Sequence, residues 1–329
     1  MTKGVRIVQL ALCSLSVSCV LTVLGTSGCA LPEKVSEQTF TSRTDLVAVQ
    51  RAREGIYALS VNRFEEAEMK LRQALYLAPG AENIRLNLAA ALEGTEQFKE
   101  ADQLIAPFLI KDPTSLDYQL RKAHLEASKE NYTEARGIYK TILATQEDKK
   151  QWTDAARTAR NLKLLAVQTG SVEEALCYSS LSFLYQNDLS SAVEHIRFLF
   201  SFDHVESALT TLEGYAAANG SSNHPSILHL QALAKVGRSK FKDAWDDEVR
   251  ATASGNLDPT LLREAKIIRV VAGEDDSVKS QLTEEEREEL IEDWEKVKGT
   301  INAESSEISE WPPLFSERVL ALIQKSSDS

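Results

Sequence analysis

The chain is predicted to be all-α: a tandem helix-turn-helix solenoid closed by a helical C-terminal cap. Two observations carry that prediction. Alanine and leucine are abundant, while the 329 residues hold only 14 glycines and 8 prolines, too few breakers for the frequent turns of an all-β fold. A block of about 34 residues also recurs with the same residue types in the same order, which an ordinary helical bundle has no reason to do. With 43% hydrophobic and 26% charged residues, the chain can bury a substantial core, and repeat proteins grow by stacking units rather than by adding globular domains.

The formal net charge is −12, with acidic residues spread along the whole chain. That balance argues against a nucleic-acid partner, which needs basic clusters to displace counterions.

Residues 1–28 read as an address rather than as part of the fold. Lys3 and Arg6 form a positive start, Ile7 to Leu24 are apolar apart from Gln9 and a few serines, and Gly25-Thr26-Ser27-Gly28 supplies small residues. That order is a secretory signal; an uncleaved membrane-spanning helix is the alternative. Gly28-Cys29 after the apolar run resembles the lipobox of bacterial lipoproteins. The resemblance implies cleavage before Cys29 and a diacylglycerol on its sulfur. Thr26 stands where that family usually has leucine, and Ala30 after the cysteine implies the outer membrane, facing the periplasm. Residues 29–44 are polar and non-periodic, a lipid tether. Cys13 and Cys19 fall in the removed segment, so only Cys177 remains unmodified in the mature chain and no internal disulfide can form. A lone thiol is expected to be buried and structural in an oxidising compartment.

The repeats are expected over 45–258. RFEEAEMKLRQALYLAP (63–79) is echoed by QFKEADQLIAPFLIKDP (97–113): Phe64 and Phe98 are 34 apart, as are Ala67 and Ala101, Ala74 and Phe108, and Pro79 and Pro113. NYTEARGIYKTIL repeats the beat with Tyr132 and Ala135. This spacing resembles the tetratricopeptide repeat, whose pattern has small residues at positions 8 and 20, an aromatic near 17, large apolars at 24 and proline at 32. Three units starting near Ala48, Glu82 and Leu116 match it closely. Looser units start near 156, 189 and 225, carrying Val172 and Ala175, Val205 and Ala208, and Phe241 and Ala244, with an insertion around Gln146–Trp152. About six units result. Each is two antiparallel helices that alanine allows to approach closely, and proline stops the second helix because it cannot donate a backbone bond.

Residues 259–329 form the cap and tail. Leu261–Val271 is one more helix covering the last apolar face, and Gly273–Ser280 is a polar break. Thr283 to Glu286 has the spacing of a capping box, opening a helix through Lys298 with Leu290, Ile291, Trp294 and Val297 as its apolar stripe. A last apolar helix around Glu317–Gln324 follows Pro312-Pro313 and either folds back onto the repeats or docks on a partner.

Catalytic constellations are not apparent. The five histidines include no HExxH pair, and His224 and His229, five apart across Pro225, have poor ligand spacing, so no metal or cofactor is expected. No phosphate-cradling glycine loop or Gly-x-Ser-x-Gly elbow occurs. The resemblance to tetratricopeptide proteins instead points to a concave groove lined by the first helix of each unit. Position 6 places Arg53, Asn87, Arg121 and Asn161 in four consecutive units. This ladder of donors is able to hold an extended peptide or a carboxylate; simple hydration, or pairing across units, is the competing reading. Asn87 and Arg121 match two places of the carboxylate clamp known in chaperone-binding members, whereas Ala52, Ile56 and Asp117 depart from it. The expected function is a membrane-anchored adaptor for envelope proteins. Pilotins, a component of the barrel-assembly machine and adaptors for wall hydrolases are lipoproteins of this build. A self-associating structural subunit and a cell-wall enzyme are the alternatives.

Overall fold

The computed structural model describes residues 43–253, 259–298, 300–301 and 311–327; the signal segment, Cys29 and Gly299 lie outside them. The described residues form sixteen α-helices and no strand, so the chain is all-α. None of these helices is long and apolar enough to cross a membrane. They divide into two compact units, residues 1–171 and 172–329.

Unit 1 contains α1 (Arg43–Ser60), α2 (Phe64–Leu77), α3 (Glu82–Gly94), α4 (Phe98–Lys111), α5 (Leu116–Ser128), α6 (Tyr132–Asp148) and α7 (Trp152–Gln168). Consecutive helices pack as hairpins, and the first helices α1, α3 and α5 also touch in series. The second helices open on Phe64, Phe98 and Tyr132, the aromatic position of the repeat. Ala67, Ala101 and Ala135 are completely buried. Small residues are needed there because the helices leave no room. A Cβ on Gly55 would lie 2.6 Å from Leu71 Cγ, and one on Gly94 would lie 2.2 Å from the Phe64 ring. Phe64 thus seals one hairpin against the next.

The turns that end α1, α3, α5 and α7 repeat as well. Asn62, Glu96, Glu130 and Gly170 all have positive φ. In each case the following amide reaches back to the carbonyl five residues earlier, as in Gln97 N–H to Leu92 O at 2.8 Å. This is a Schellman-type helix ending. Only the fourth of these turns uses glycine, although the left-handed conformation costs other residues about 1–2 kcal/mol.

The insertion around Gln146–Trp152 is absorbed by longer helices. Pro79 and Pro113 stop α2 and α4, but the equivalent position holds Glu147, so α6 continues to Asp148 and α7 begins at Trp152 rather than near 156. At the other end, α1 exposes Leu46 and Tyr57, whereas Ala91 and Leu125, one and two repeats after Tyr57, are buried against the preceding hairpin.

Unit 2 contains α8 (Val172–Gln186), α9 (Leu189–Ser201), α10 (Val205–Asn219), α11 (Pro225–Gly237), α12 (Phe241–Ala253), α13 (Pro259–Gly273), the short α14 (Asp276–Lys279), α15 (Glu284–Lys298) and α16 (Pro313–Ser327). Ala175, Ala208 and Ala244 are completely buried, so the small position persists in the looser repeats. The cap is a full hairpin rather than a single closing helix: α13 packs on α15, and α13 starts 34 residues after α11. The repeat motif disappears because Asp275 and Val278 occupy the aromatic and small places, and a long connection containing α14 delays the second helix. That connection also corrects the expected break at Gly273–Ser280, which contains a helical turn.

The capping box opening α15 is present, with Glu286 Oε2 accepting from Thr283 N–H at 2.8 Å and Thr283 Oγ1 accepting from Glu286 N–H at 3.2 Å. Leu290 and Val297 are buried, but Ile291 is 65% exposed and leaves the expected stripe. Cys177 is also exposed, contrary to expectation. It lies two residues after the buried Ala175, and a helix turns about 100° per residue, carrying position 177 to the outer side.

The tail folds back. Trp311, Phe315 and Val319 are buried in the core of unit 2, and α16 lies against α11 and α13.

Candidate binding face of unit 1

Arg53, Asn87, Arg121 and Asn161 lie on α1, α3, α5 and α7, each nine residues before the positive-φ residue of the turn that follows. Asn161 is nevertheless the tenth residue of its helix and not the sixth, as Asn87 and Arg121 are, because α7 starts earlier. Their surroundings differ. Arg53 is exposed because no hairpin covers α1 among the described residues, while Asn87 and Asn161 are half-buried. Asn87 Nδ2 donates to the Asn83 carbonyl at 2.8 Å, leaving its side-chain oxygen for another donor.

Arg121 is the most constrained. Its guanidinium meets Glu93 on the preceding first helix at 3.3 Å, and the two side chains are 16% and 15% exposed. Glu93 also accepts from Ser128 Oγ at 2.6 Å. Pairing across units, the competing reading of the ladder, therefore describes Arg121. Its Nε is buried and has no acceptor among the described residues, a donor still unsatisfied by the fold.

Beneath this position, Tyr139 Oη lies 3.0 Å from His124 Nδ1. Burial, reinforced by the charge of Arg121, lowers the imidazole pKa to about 3, so His124 is neutral at pH 7. Burial pushes the Tyr139 hydroxyl well above the usual phenol range, with Glu93 adding to the effect. The floor of the face is thus uncharged and bonded, the arrangement of a support rather than of an acid–base pair.

A second cluster was hidden from sequence reasoning. Glu126, only 2% exposed, accepts from Lys122 at 2.6 Å, Lys129 at 2.9 Å and Asn131 at 2.6 Å. Burial opposes its ionisation, but these donors prevail and hold the carboxyl at about 2. Lys122 and Lys129 also pair with Asp102 on α4, clamping neighbouring hairpins. The signal was present in the regular spacing of Lys122, Glu126 and Lys129, but the partner on α4 was not legible. A cleft of about 440 Å³ between α1 and α2 is lined by Arg51, Arg72, Gln73, Tyr76 and Leu77; none of the four ladder residues borders it.

In unit 2 a buried charge network links α9, α11, α12 and α13. His229 on α11 lies between Glu248 of α12, at 3.1 Å from Nδ1, and Glu264 of α13, at 2.9 Å from Nε2. Glu264 also accepts from Arg197 of α9 and from Trp311 Nε1, each at 2.9 Å. Burial alone would lower the His229 pKa, but the two carboxylates outweigh it and raise the imidazole to about 9. Burial likewise opposes ionisation of Glu264, yet bonds from His229 and Arg197 hold it well below the usual carboxylate range. Two cations and two carboxylates balance, the condition for burying charge. His224 does not join them: it caps α11, accepting from Ser226 N–H at 3.3 Å. Among the described residues no group of three or more His, Cys, Asp or Glu side chains has metal-holding geometry.

No family model matches the chain, and no curated protein matches it. Solved structures with some likeness include PilF of Pseudomonas aeruginosa, at 19% identity over 64% of this chain and 92% of that one, with a TM-score of 0.44. A tetratricopeptide repeat protein from Parabacteroides merdae has 12% identity over 68% of this chain and 99% of its own, with a TM-score of 0.28. BtubC from P. vanneervenii has 12% identity over 86% of this chain and 93% of its own, with a TM-score of 0.31.

Proposed function

We propose that the chain is a non-catalytic scaffold, held in the bacterial envelope by lipid on Cys29, whose unit 1 binds an extended segment of a partner protein. The observation that carries this reading is the placement of Arg53, Asn87, Arg121 and Asn161 at one repeat position on successive first helices. An extended strand repeats its backbone groups at short intervals, so a row of donors can hold several at once. Arg53 is open to a ligand, and Arg121 reaches one by sharing or exchanging Glu93.

Since Arg121 is tied to Glu93, the clean test removes the other half of the row. Arg53→Ala with Asn87→Ala is expected to reduce crosslinked capture of envelope partners from membranes at least tenfold while the helical signal stays at wild type. This corresponds to about 1.4 kcal/mol, one good polar bond. Undiminished capture would place binding elsewhere.

The anchor is tested separately. Cys29→Ser is expected to abolish incorporation of labelled palmitate and to leave either an uncleaved precursor or a soluble form. A wild-type chain that takes up no label would remove the lipoprotein reading and favour an uncleaved membrane helix. A self-associating subunit is the second reading, favoured by exposed Leu46 and Tyr57 on α1; recovery of this chain alone in the same pull-down would select it.

A further inference from the structure

The first-helix face of unit 2 already holds a ligand-like segment. Phe315 and Val319 lie one turn apart on α16, Trp311 precedes the helix by two residues, and all three are buried. A directional polar contact helps to fix them: Trp311 Nε1 donates to Glu264 Oε1 at 2.9 Å. Pro312 rests on Gly237, the last residue of α11, where an added Cβ would come 2.8 Å from Pro312 Cβ. Arg318 stands over the ring of Phe241, 5.2 Å from its centroid. The other side of the tail, with Glu317, Leu320 and Ala321, faces solvent. These are the features of a segment laid in a groove: apolar side chains in sockets, a directional polar bond and a solvated back.

We propose that the α11–α13 face of unit 2 is a receptor for an amphipathic helix, occupied in the resting chain by α16. The partner it fits is a segment of another protein with an aromatic residue two positions ahead of a helix, a second aromatic in the helix's first turn and an aliphatic residue one turn later. Such a segment displaces α16. A covalently attached occupant competes at an effective concentration on the order of millimolar, so the free partner binds only when it outmatches or follows release of the tail. This site is separate from the polar row of unit 1.

The test uses the full chain and a fluorescein-labelled peptide spanning Trp311–Ser327, followed by anisotropy. Phe315→Asp places a carboxylate in an apolar socket and frees the face. The peptide is expected to bind this variant at least tenfold more tightly than wild type, where α16 fills the site. Adding Gly237→Ala on the receptor side is expected to weaken the peptide at least fivefold again, because the new Cβ meets Pro312. Hydrogen exchange of the wild type is expected to show α16 amides exchanging at least tenfold faster than those of α11, the mark of a segment that opens by itself. Equal peptide binding by wild type and Phe315→Asp overturns the proposal. So does indifference to Gly237→Ala, which would place the peptide elsewhere. Equal protection of α16 and α11, or collapse of the helical signal in Phe315→Asp, would make α16 an integral part of the core and overturn it too.

Discussion

Glu264→Ala is expected to destabilise unit 2 by about 3–5 kcal/mol, the usual cost of removing one partner from a buried ion pair. The loss exceeds that of one bond because the carboxylate serves Arg197, His229 and Trp311 together. Without it, the Arg197 guanidinium and the Trp311 indole each lose an acceptor in a dry environment. Urea unfolding followed by tryptophan fluorescence reports on unit 2 through Trp245, Trp294 and Trp311. A midpoint unchanged from wild type would mean that the network adds nothing to stability. The same network sets a pH window. His229 has a raised pKa, so its contribution is complete below 6.5 and is lost as pH rises through about 9. Glu264 has a depressed pKa, so its contribution is complete above 4.5 and is lost as pH falls toward its folded value. Unit 2 should therefore melt highest between about pH 4.5 and 6.5, and His229→Gln should flatten the alkaline side of that profile.

Ala101→Trp is expected to cost unit 1 about 3 kcal/mol or more, the upper end of the overpacking range. Ala101 is completely buried in a cluster with Leu88, Ala89 and Leu92, and alanine is retained at the same place one repeat before and one repeat after. An indole there must push α4 away from α3. Thermal unfolding followed by circular dichroism reads the effect directly. Melting at the wild-type temperature would contradict the close approach of these helices.

The repeat register was legible because it is written in local chemistry. Phe64, Phe98 and Tyr132 open the second helices, Ala67, Ala101 and Ala135 mark the close approach, and Pro79 and Pro113 mark the stops. Each acts on neighbours within its own hairpin or the next, so a fixed spacing in sequence becomes a fixed spacing in space. The capping hairpin was legible only in half. Its first helix keeps the 34-residue interval, but a long connection displaces its second helix, and Asp275 and Val278 erase the motif. The left-handed turns were hidden because residues other than glycine, such as Asn62, Glu96 and Lys150, occupy most of them among the described residues.

Residue order is enough to specify the helical class, the hairpin period and the small and aromatic packing positions. How charged and apolar side chains are used depends instead on long-range packing. Arg121 is drawn to Glu93, 28 residues away, and Arg197 to Glu264, 67 residues away. The C-terminal helix settles on α11 and α13 by burying Trp311, Phe315 and Val319. The physical reason is range: helix and turn preferences act over a few residues, whereas the cost of burying a charge or an aromatic ring is settled by whatever the fold brings beside it.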